Sequence, residues 1–523
     1  MMKTKIRHIL SNMLVGLAAG LSLCSCDDFF ELRPTNEMVL DEFWQTESDV
    51  LSVTGACYRA MQQPGFMQRL MVWSEFRGDN VILGNNLGQD LYYIGTLNIL
   101  PSNGYAYWGD FYNVINLCNT VERFAPQVCD KDPNFTQEQL SAYIAEVKAI
   151  RAFCYFTLVR TFRDVPLITE PTVDDTQVFQ VEQSDPDVLI DFLIDDLAAV
   201  ENDAVEAWTS TDYTKGRFTR AGLRALLADM CLWRNRYAEC ISYCDKVTGD
   251  SGNILSLEGS NAYNRSVFVN GNSTESIIEL QFSRNNIPNY TLCEFYGTEG
   301  GHSGWGHQQM MAFDFTSTDL FEATDLRGID SFYSSSSLAA FPIKKYLAYR
   351  NELHTTNVRE SDYISVDGGV SNWILYRLPD VMLMKAEALV ESGGSLEEAF
   401  RLVSTIYDRA NPEAGTGSLS FSSYNTQDRM RDLVFDERQR EFLFEGKRYF
   451  DILRRINRDR SQFRNLVSTY LIPKYSSLDQ ATVSSKLSEL NALYMPIKDS
   501  ELRSNKMLKQ NPFYKVSSSI EKN

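Results

Sequence analysis

Histidine is nearly absent from this chain. It has four in 523 residues, and only His302, His307 and His354 lie beyond the N-terminal leader. His302 and His307 sit five apart on a glycine-rich stretch. They lack the HExxH spacing by which two helical imidazoles hold zinc beside a glutamate base. Cysteines never occur as C-x-x-C, which excludes the common zinc and thioredoxin-type spacings. There is no G-x-S-x-G elbow and no phosphate-binding P-loop. Asp130, Asp132 and Asn134 begin like a calcium loop, but Phe135 stands where glycine should turn the chain and Ser141 where the bidentate glutamate should be. No metal site and no cofactor are therefore assigned, although a structural calcium held by scattered carboxylates stays open. Positive charge is also short. Fifty Lys and Arg face 69 Asp and Glu, a net charge of −19. Nucleic acid is excluded as a partner, because binding it requires a basic surface to neutralise phosphates.

Long apolar runs are lacking too, with one exception at the start. Lys3, Lys5 and Arg7 precede an apolar stretch from Ile9 to Leu23, followed by Cys24, Ser25 and Cys26. A charged start, a short apolar core and a small residue before the cut define a secretory signal peptide, residues 1–25. The stretch is too short and too rich in Gly, Ala and Ser for a membrane span of about 20 apolar residues. Cys26 looks like a lipobox cysteine, freed by cleavage after Ser25 for lipid attachment. Cys24 fits worse, because bulky Leu23 would occupy the cleavage position. A plain signal peptide without lipid is the alternative. Under the lipoprotein reading the lipid would be the only membrane anchor. Of the remaining cysteines, Cys118, Cys154 and Cys231 fall on apolar helical faces, and Cys240 and Cys244 share one helix. They read as packed free thiols rather than a disulfide framework.

What is abundant is helical periodicity. Apolar residues recur at i, i+3, i+4 and i+7 on Val50–Val53–Cys57–Ala60, on Phe111–Val114–Cys118–Val121 and on Tyr143–Val147–Ile150–Cys154–Leu158. A further stripe runs over 188–200. Two helix pairs follow, 221–234 with 237–247 and 380–391 with 396–410, the second turning at Gly393 and Gly394. Alanines stand where the paired helices would approach (Ala225, Ala228 and Ala238; Ala386, Ala388 and Ala399), as in tetratricopeptide pairs. Residues 275–282 read as a strand with Ile278, Leu280 and Phe282 on one face. Helix resumes after Arg429 to about Arg458. The fold class is all-α: a tetratricopeptide-like scaffold, mainly 41–250 and 376–458, with a loop-rich lobe at about 251–375 and an irregular C-terminal segment, 459–523. The charged run from Asp436 to Arg448 reads as ion pairs between helices.

Six ordered blocks resemble the SusD/RagB family of nutrient-binding lipoproteins. They are Cys26–Glu31 with Pro34, Phe43 and Trp44; Lys148–Phe156 with Asp164–Leu167; Gly216–Thr219; Arg377–Val381 through Ala388; Asp436–Arg438 through Asp451; and Pro496, Ile497 and Asn505–Pro512. One departure is Arg163, where the family usually has glycine. The resemblance, spanning 26–523, implies four tetratricopeptide-like pairs, a surface lipoprotein of the outer membrane and no enzymatic activity. It implies a partner, a SusC-like TonB-dependent transporter on which the lipoprotein acts as a lid, and an oligo- or polysaccharide ligand. A minority of such systems take peptides.

A sugar ring offers an apolar C–H face to aromatic side chains and a hydroxyl rim to Asn, Asp, Arg and His. Two loop clusters carry these residue types. Trp73, Asp79, Asn80, Asn85 and Tyr92, with Asn86 and Tyr93, form the first; Tyr296, His302, Trp305 and His307 form the second. Trp44, Trp108 and Trp233 are expected in the core. A peptide-binding protein of the same architecture, a secreted glycoside hydrolase and a pure assembly scaffold are the other readings. Among the acidic residues, no pair of hydrolytic carboxylates can be picked from sequence, because their separation is spatial.

Overall fold

Periodic apolar stripes become helices where capping and turn residues stop them. In the computed structural model, the described residues are 40–515 apart from 174–179, 250–254, 261–262, 284, 298–307, 316–317, 333–340, 350–362, 365–370 and 414–418. The signal peptide, Cys26, His302, Trp305, His307 and His354 lie outside them. The chain divides at Gln45. Before that point the described part is one helical turn, Leu40–Phe43, with Phe43 and Trp44 edge to face at 5.3 Å. Everything below concerns the unit from Thr46 onward.

The first helices are α1 (Glu47–Met61), α2 (Pro64–Met71), α3 (Gln89–Gly95), α4 (Gly109–Phe124) and α5 (Gln137–Phe162). Helix α5 opens on a capping box: Thr136 and Gln139 each accept the other's backbone N–H, at 3.2 and 2.8 Å. It is buried around most of its girth, so its charges need partners. Glu146 takes a bidentate Arg217 at 2.8 and 2.6 Å, and Arg151 reaches Asn119 and Asp196, each at 2.8 Å. The predicted faces of α4 and α5 are buried throughout. That of α1 is rotated, burying Thr54 and Tyr58 rather than Val53 and Ala60.

Helix α5 ends at Arg163, whose φ of 72° is left-handed. The Asp164 N–H bonds back to the Phe162 carbonyl at 3.1 Å, a γ-turn strained for any residue with a Cβ. The glycine usual in the resembled family is the residue this turn would accept without cost.

The scaffold continues through α6 (Pro186–Ala198), α7 (Arg220–Trp233) and α8 (Tyr237–Thr248), and later α10 (Leu378–Glu391), α11 (Leu396–Ala410), α12 (Gln427–Glu441) and α13 (Arg448–Arg458). Between these groups lies α9 (Tyr290–Tyr296). Both anticipated helix pairs are present within two residues of their expected ends. Ala225, Ala228, Ala386, Ala388 and Ala399 are buried at the approach of the paired helices. Gly393, at φ 71°, makes the turn between α10 and α11, and Ser395 caps α11 by accepting the Glu398 N–H at 3.1 Å. The helix expected from 429 to 458 is two, broken where Phe444 and Gly446 take φ of 64° and 71°. The segment expected to be irregular carries short helices, among them Gln480–Lys486 and Asp499–Ser504.

Strands are few. β1 (Val81–Leu83) pairs antiparallel with β3 (Met310–Ala312), Val81 opposite Ala312. β2 (Ser276–Leu280) pairs antiparallel with β4 (Trp373–Arg377), Leu280 opposite Trp373. Residues on both faces of β2 are buried, so the one-sided alternation expected there is replaced by a covered strand. All eight cysteines of the described region are free thiols, seven of them buried. No helix among the described residues is long and apolar enough to cross a membrane.

The charged run in α12 and α13 is a buried network. Glu437 meets Arg327 at 2.6 Å, Arg438 meets Asp451 at 2.8 Å and Asp380 at 3.0 Å, and Glu441 meets Arg377 at 2.6 Å. Glu445 meets Lys345 at 2.6 Å.

Candidate functional site: a polar cleft between helices α2, α3 and α9

The β1–β3 ladder brings two distant segments together. Beyond Leu83 it continues as Gly84 N–H to Gln309 carbonyl at 3.0 Å and Asn85 N–H to Gln308 carbonyl at 2.8 Å. A Cβ on Gly84 would stand 1.9 Å from the Gln308 carbonyl oxygen, so only glycine permits this approach. Gln308 N–H in turn reaches the Gly297 carbonyl at 2.8 Å.

This pairing sets Glu294 and Gln309 opposite Gln68 and Arg69 of α2, around a cleft of about 400 Å³. The N-terminus of α3 contributes Gly88 to Leu91, and the turn at Gly104–Ala106 contributes Gly104 and Tyr105. Glu294 binds the two walls together, accepting from Gln68 Nε2 at 3.0 Å and Gln309 Nε2 at 3.2 Å. Asp90 accepts the Gly104 N–H at 2.8 Å, and Asn103 braces the same turn by donating to the Asp90 carbonyl at 2.9 Å. Arg69 donates to the Gly104 carbonyl at 3.0 Å and to Asp110 at 2.6 Å, with the Tyr107 ring 5.1 Å away. Burial, together with Glu294, pushes the Tyr105 phenol above its ordinary value. The cleft thus presents carboxylate, amide, guanidinium and phenol groups at fixed positions, the inventory that hydroxyl groups can use as donors and acceptors.

The residues expected to bind ligand are placed as follows. Trp73 is fully buried, its indole N–H donating to the Tyr105 carbonyl at 2.8 Å and its ring against Phe111 and Phe162 at 4.9 and 5.1 Å. Uncovering a ring of that size would cost about 4–6 kcal/mol, against roughly 1 kcal/mol from one stacking contact, so Trp73 is core. It still bears on the cleft by holding the Tyr105 backbone from behind. Asp79 holds Arg448 with both oxygens at 2.8 and 2.9 Å. Asn80 is buried between Glu75 and Gln439, at 2.9 and 3.1 Å. Tyr296 is buried, its hydroxyl donating to the Phe444 carbonyl at 3.1 Å. These four are corrected from ligand contacts to interior residues, because their polar atoms are spent inside the protein.

Asn85 is exposed at the cleft's edge, bonded to Gln308 at 3.2 Å, and Asn86 is exposed beside it. Tyr92 is 48% exposed but lines a different pocket. The apparent calcium loop is a turn whose Asp132 accepts the Asn134 and Glu47 N–H groups at 2.9 and 3.1 Å. Among the described residues no group of three metal-ligating side chains is assembled. The residues missed from sequence are Gln68, Arg69, Gln89, Asp90, Tyr105, Glu294 and Gln309. Only Gly104–Tyr105, an aromatic set on a glycine turn, carried a local signal.

The polar cleft thus sits beside the β1–β3 pairing on a frame of helix pairs. Residues 300–514 match the profile of the SusD family. The "SusD-like protein P38" of Formosa agariphila is 25% identical over 491 residues, covering 86% of this chain and 92% of that one. A SusD superfamily protein from Bacteroides vulgatus superposes with a TM-score of 0.72 at 19% identity, over 90% of this chain and 100% of the other. Surface glycan-binding protein A from Bacteroides thetaiotaomicron, solved with laminarihexaose, gives 0.69 at 19%, over 89% and 100%. Over residues 300–514 the chain is similar to the SusD family, and along most of its length to SusD-like relatives.

Proposed function

We propose that this protein is a surface lipoprotein of the outer membrane that captures an oligo- or polysaccharide in the cleft and passes it to a SusC-like TonB-dependent transporter. The observation that carries the glycan reading is the Gln68–Glu294–Gln309 array facing Asp90 and Tyr105 across a hollow large enough for sugar units. Its amides and carboxylates are pre-set by bonds to one another, so a hydroxyl-rich ligand meets partners that are already ordered. The SusD-fold neighbour solved with laminarihexaose supports the same reading. Gly297 and Gln308, which flank segment 298–307, are bonded to each other at 2.8 Å, and Gln308 adjoins the lining residue Gln309. On that ground Trp305 is assigned the apolar platform for a sugar ring, with His302 and His307 as hydroxyl partners. Binding without turnover is favoured because both Glu294 oxygens and Asp90 Oδ2 accept protein N–H donors rather than standing as a free acid and base.

The test is calorimetric titration of the mature protein with laminari-, malto- and xylo-hexaose and, as the rival class, with short peptides. Glu294→Gln and Tyr105→Phe, which keep the side-chain volume, are each expected to weaken saccharide binding by about tenfold or more, the worth of one or two hydrogen bonds to a charged group, with the melting temperature little changed. Undiminished affinity in both variants removes the cleft from the reading, and selective peptide binding replaces the ligand class.

Anchoring is read from the sequence around Cys26. Cys26→Ala is expected to shift the protein from the membrane fraction to the soluble fraction and to abolish incorporation of labelled palmitate. A variant that stays membrane-bound and labelled would show that the lipid is elsewhere.

A further inference from the structure

Helix α3 borders two hollows. Gln89, Asp90 and Leu91 line the cleft, whereas Tyr92, Gly95 and Thr96 line a second pocket of about 400 Å³. Its walls are apolar on one side, with Phe76, Val81, Leu83 and Val483, and the exposed Tyr92 ring stands among them.

The polar side of this pocket holds two lysines. Lys474 donates to the Phe76 and Gly78 carbonyls at 2.9 and 2.6 Å. Lys486 donates to the Leu97 carbonyl and to Asn98 Oδ1 at 3.0 and 2.6 Å. An ammonium has three N–H groups, so each lysine keeps one beyond these bonds. The interior cations Arg327, Lys345, Arg377 and Arg448, by contrast, stand against carboxylates. The amines of Lys474 and Lys486 meet only neutral oxygens in their hydrogen bonds. The pocket's one carboxylate, Asp479, is engaged by the Ser476 hydroxyl at 2.6 Å. The lining thus carries two cations and one carboxylate, although the chain as a whole has a net charge of −19. Burial, offset only in part by Asp79, pulls the Lys474 amine down to about 7. That is the condition of an ammonium short of counter-charge, which a bound anion would supply.

We propose that this pocket is a second ligand site, binding the anionic substituent of an acidic saccharide, a carboxylate or a sulfate, through Lys474 and Lys486 while Tyr92 and the apolar wall take the ring. The anion's carrier rests on the glycan reading above; the charge preference does not. A glycan spanning both hollows would lie over α3 with its hydroxyls in the cleft and its acid group in the pocket. The acidic surface elsewhere would repel such a ligand, so the pocket would set its register as well as its affinity.

The experiment compares oligogalacturonate, a sulfated galacto-oligosaccharide and a neutral gluco-oligosaccharide of equal length by calorimetry. The proteins are wild type, Lys486→Met and the Lys474→Met/Lys486→Met double variant. Lys486→Met is the primary test, since Lys474 ties two backbone carbonyls and its loss could disturb the fold, which circular dichroism checks. The expected result is at least one acidic ligand bound about tenfold or more tighter than the neutral one. That margin should fall severalfold in Lys486→Met, with neutral-ligand affinity unchanged. Preference for carboxylate or for sulfate identifies the source of the anion. Equal affinity for acidic and neutral ligands, or a margin that survives Lys486→Met, overturns the proposal. Should no saccharide bind at all, the glycan reading fails, and the pocket is judged on inorganic sulfate alone. Sulfate should then raise the melting temperature of wild type more than that of Lys486→Met, and an equal rise sinks it.

Discussion

Arg377→Met is expected to leave little or no folded protein. Arg377 ends β4, where the chain turns into α10, and is 1% exposed. Its Nε and Nη2 donate to Glu445 at 2.8 and 2.7 Å, and Nη1 donates to Glu441 at 2.6 Å and Glu275 at 3.1 Å. Around it Arg409 joins Glu275 and Glu441, Lys345 joins Glu445, and Arg327 joins Asp325, Glu437 and Glu441. Arg440 completes the set on Glu437 at 2.8 Å. The five cations Arg327, Lys345, Arg377, Arg409 and Arg440 therefore balance the five carboxylates Glu275, Asp325, Glu437, Glu441 and Glu445. Burial pushes the Glu441 carboxyl up, but Arg409, Arg377 and Arg327 outweigh it and hold it well below the ordinary range.

Methionine would fill most of the volume but leave one carboxylate charge buried without its partner. Breaking such a pair costs about 3–5 kcal/mol, a large part of the roughly 5–15 kcal/mol that stabilises a typical domain. Lysine should rescue poorly, because it cannot reproduce the planar fork that serves Glu445 and Glu441 together. Asp428→Ala, which breaks a pair with Arg431 from a side chain 90% exposed, should by contrast change stability by about 0–1 kcal/mol. Urea unfolding of the three variants checks this. A midpoint for Arg377→Met within error of wild type would show that the network adds no stability.

The fold was legible where local chemistry decides it. The pairs α7–α8 and α10–α11 follow from alanines at helical spacing and from a glycine turn, all within one stretch of chain. Arg163 was legible in a subtler way: a residue standing where relatives have glycine marks a turn that here takes φ 72°. The site was less legible. Trp73, Asp79 and Asn80 have the composition of a sugar-binding loop, but the same residue types satisfy buried polar networks. Which of the two they do depends on Arg448 and Gln439, more than 350 positions away in the chain. The cleft itself joins Gln68 to Glu294 across a separation of 226 residues. No periodicity or spacing carries that information.

Glu75 gives the second large effect, in stability against pH. It lies in the helical turn Val72–Phe76, two positions after Trp73, and is fully buried. Its carboxyl accepts from Asn80 Nδ2 at 2.9 Å and from the Gly446 N–H at 2.8 Å. Burial pushes it up to about 7, against the lowering effect of those two donors. In the unfolded chain the group titrates near its ordinary 4.5. Between these values the folded protein keeps a proton that the unfolded chain releases, so stability falls as pH rises through the window and levels off above it. The loss between about pH 5 and 7 from this group alone is about 2 kcal/mol.

Asp380 works with the opposite sign at lower pH. Burial would raise it, but Lys447 and Arg438 hold it at about 2, so its contribution is present above the ordinary aspartate value and is lost as pH falls toward 2. Lys474, pulled down to about 7, makes stability rise with pH only above that value, outside the window used for Glu75. Glu75→Gln, which cannot ionise, is therefore expected to keep most of the stability that wild type loses between about pH 5 and 7, narrowing the difference in unfolding free energy by about 2 kcal/mol. Because Glu75 links the turn behind the cleft to Gly446, the same titration should loosen the cleft floor in wild type at higher pH. Parallel losses in wild type and Glu75→Gln would assign the pH dependence to another group.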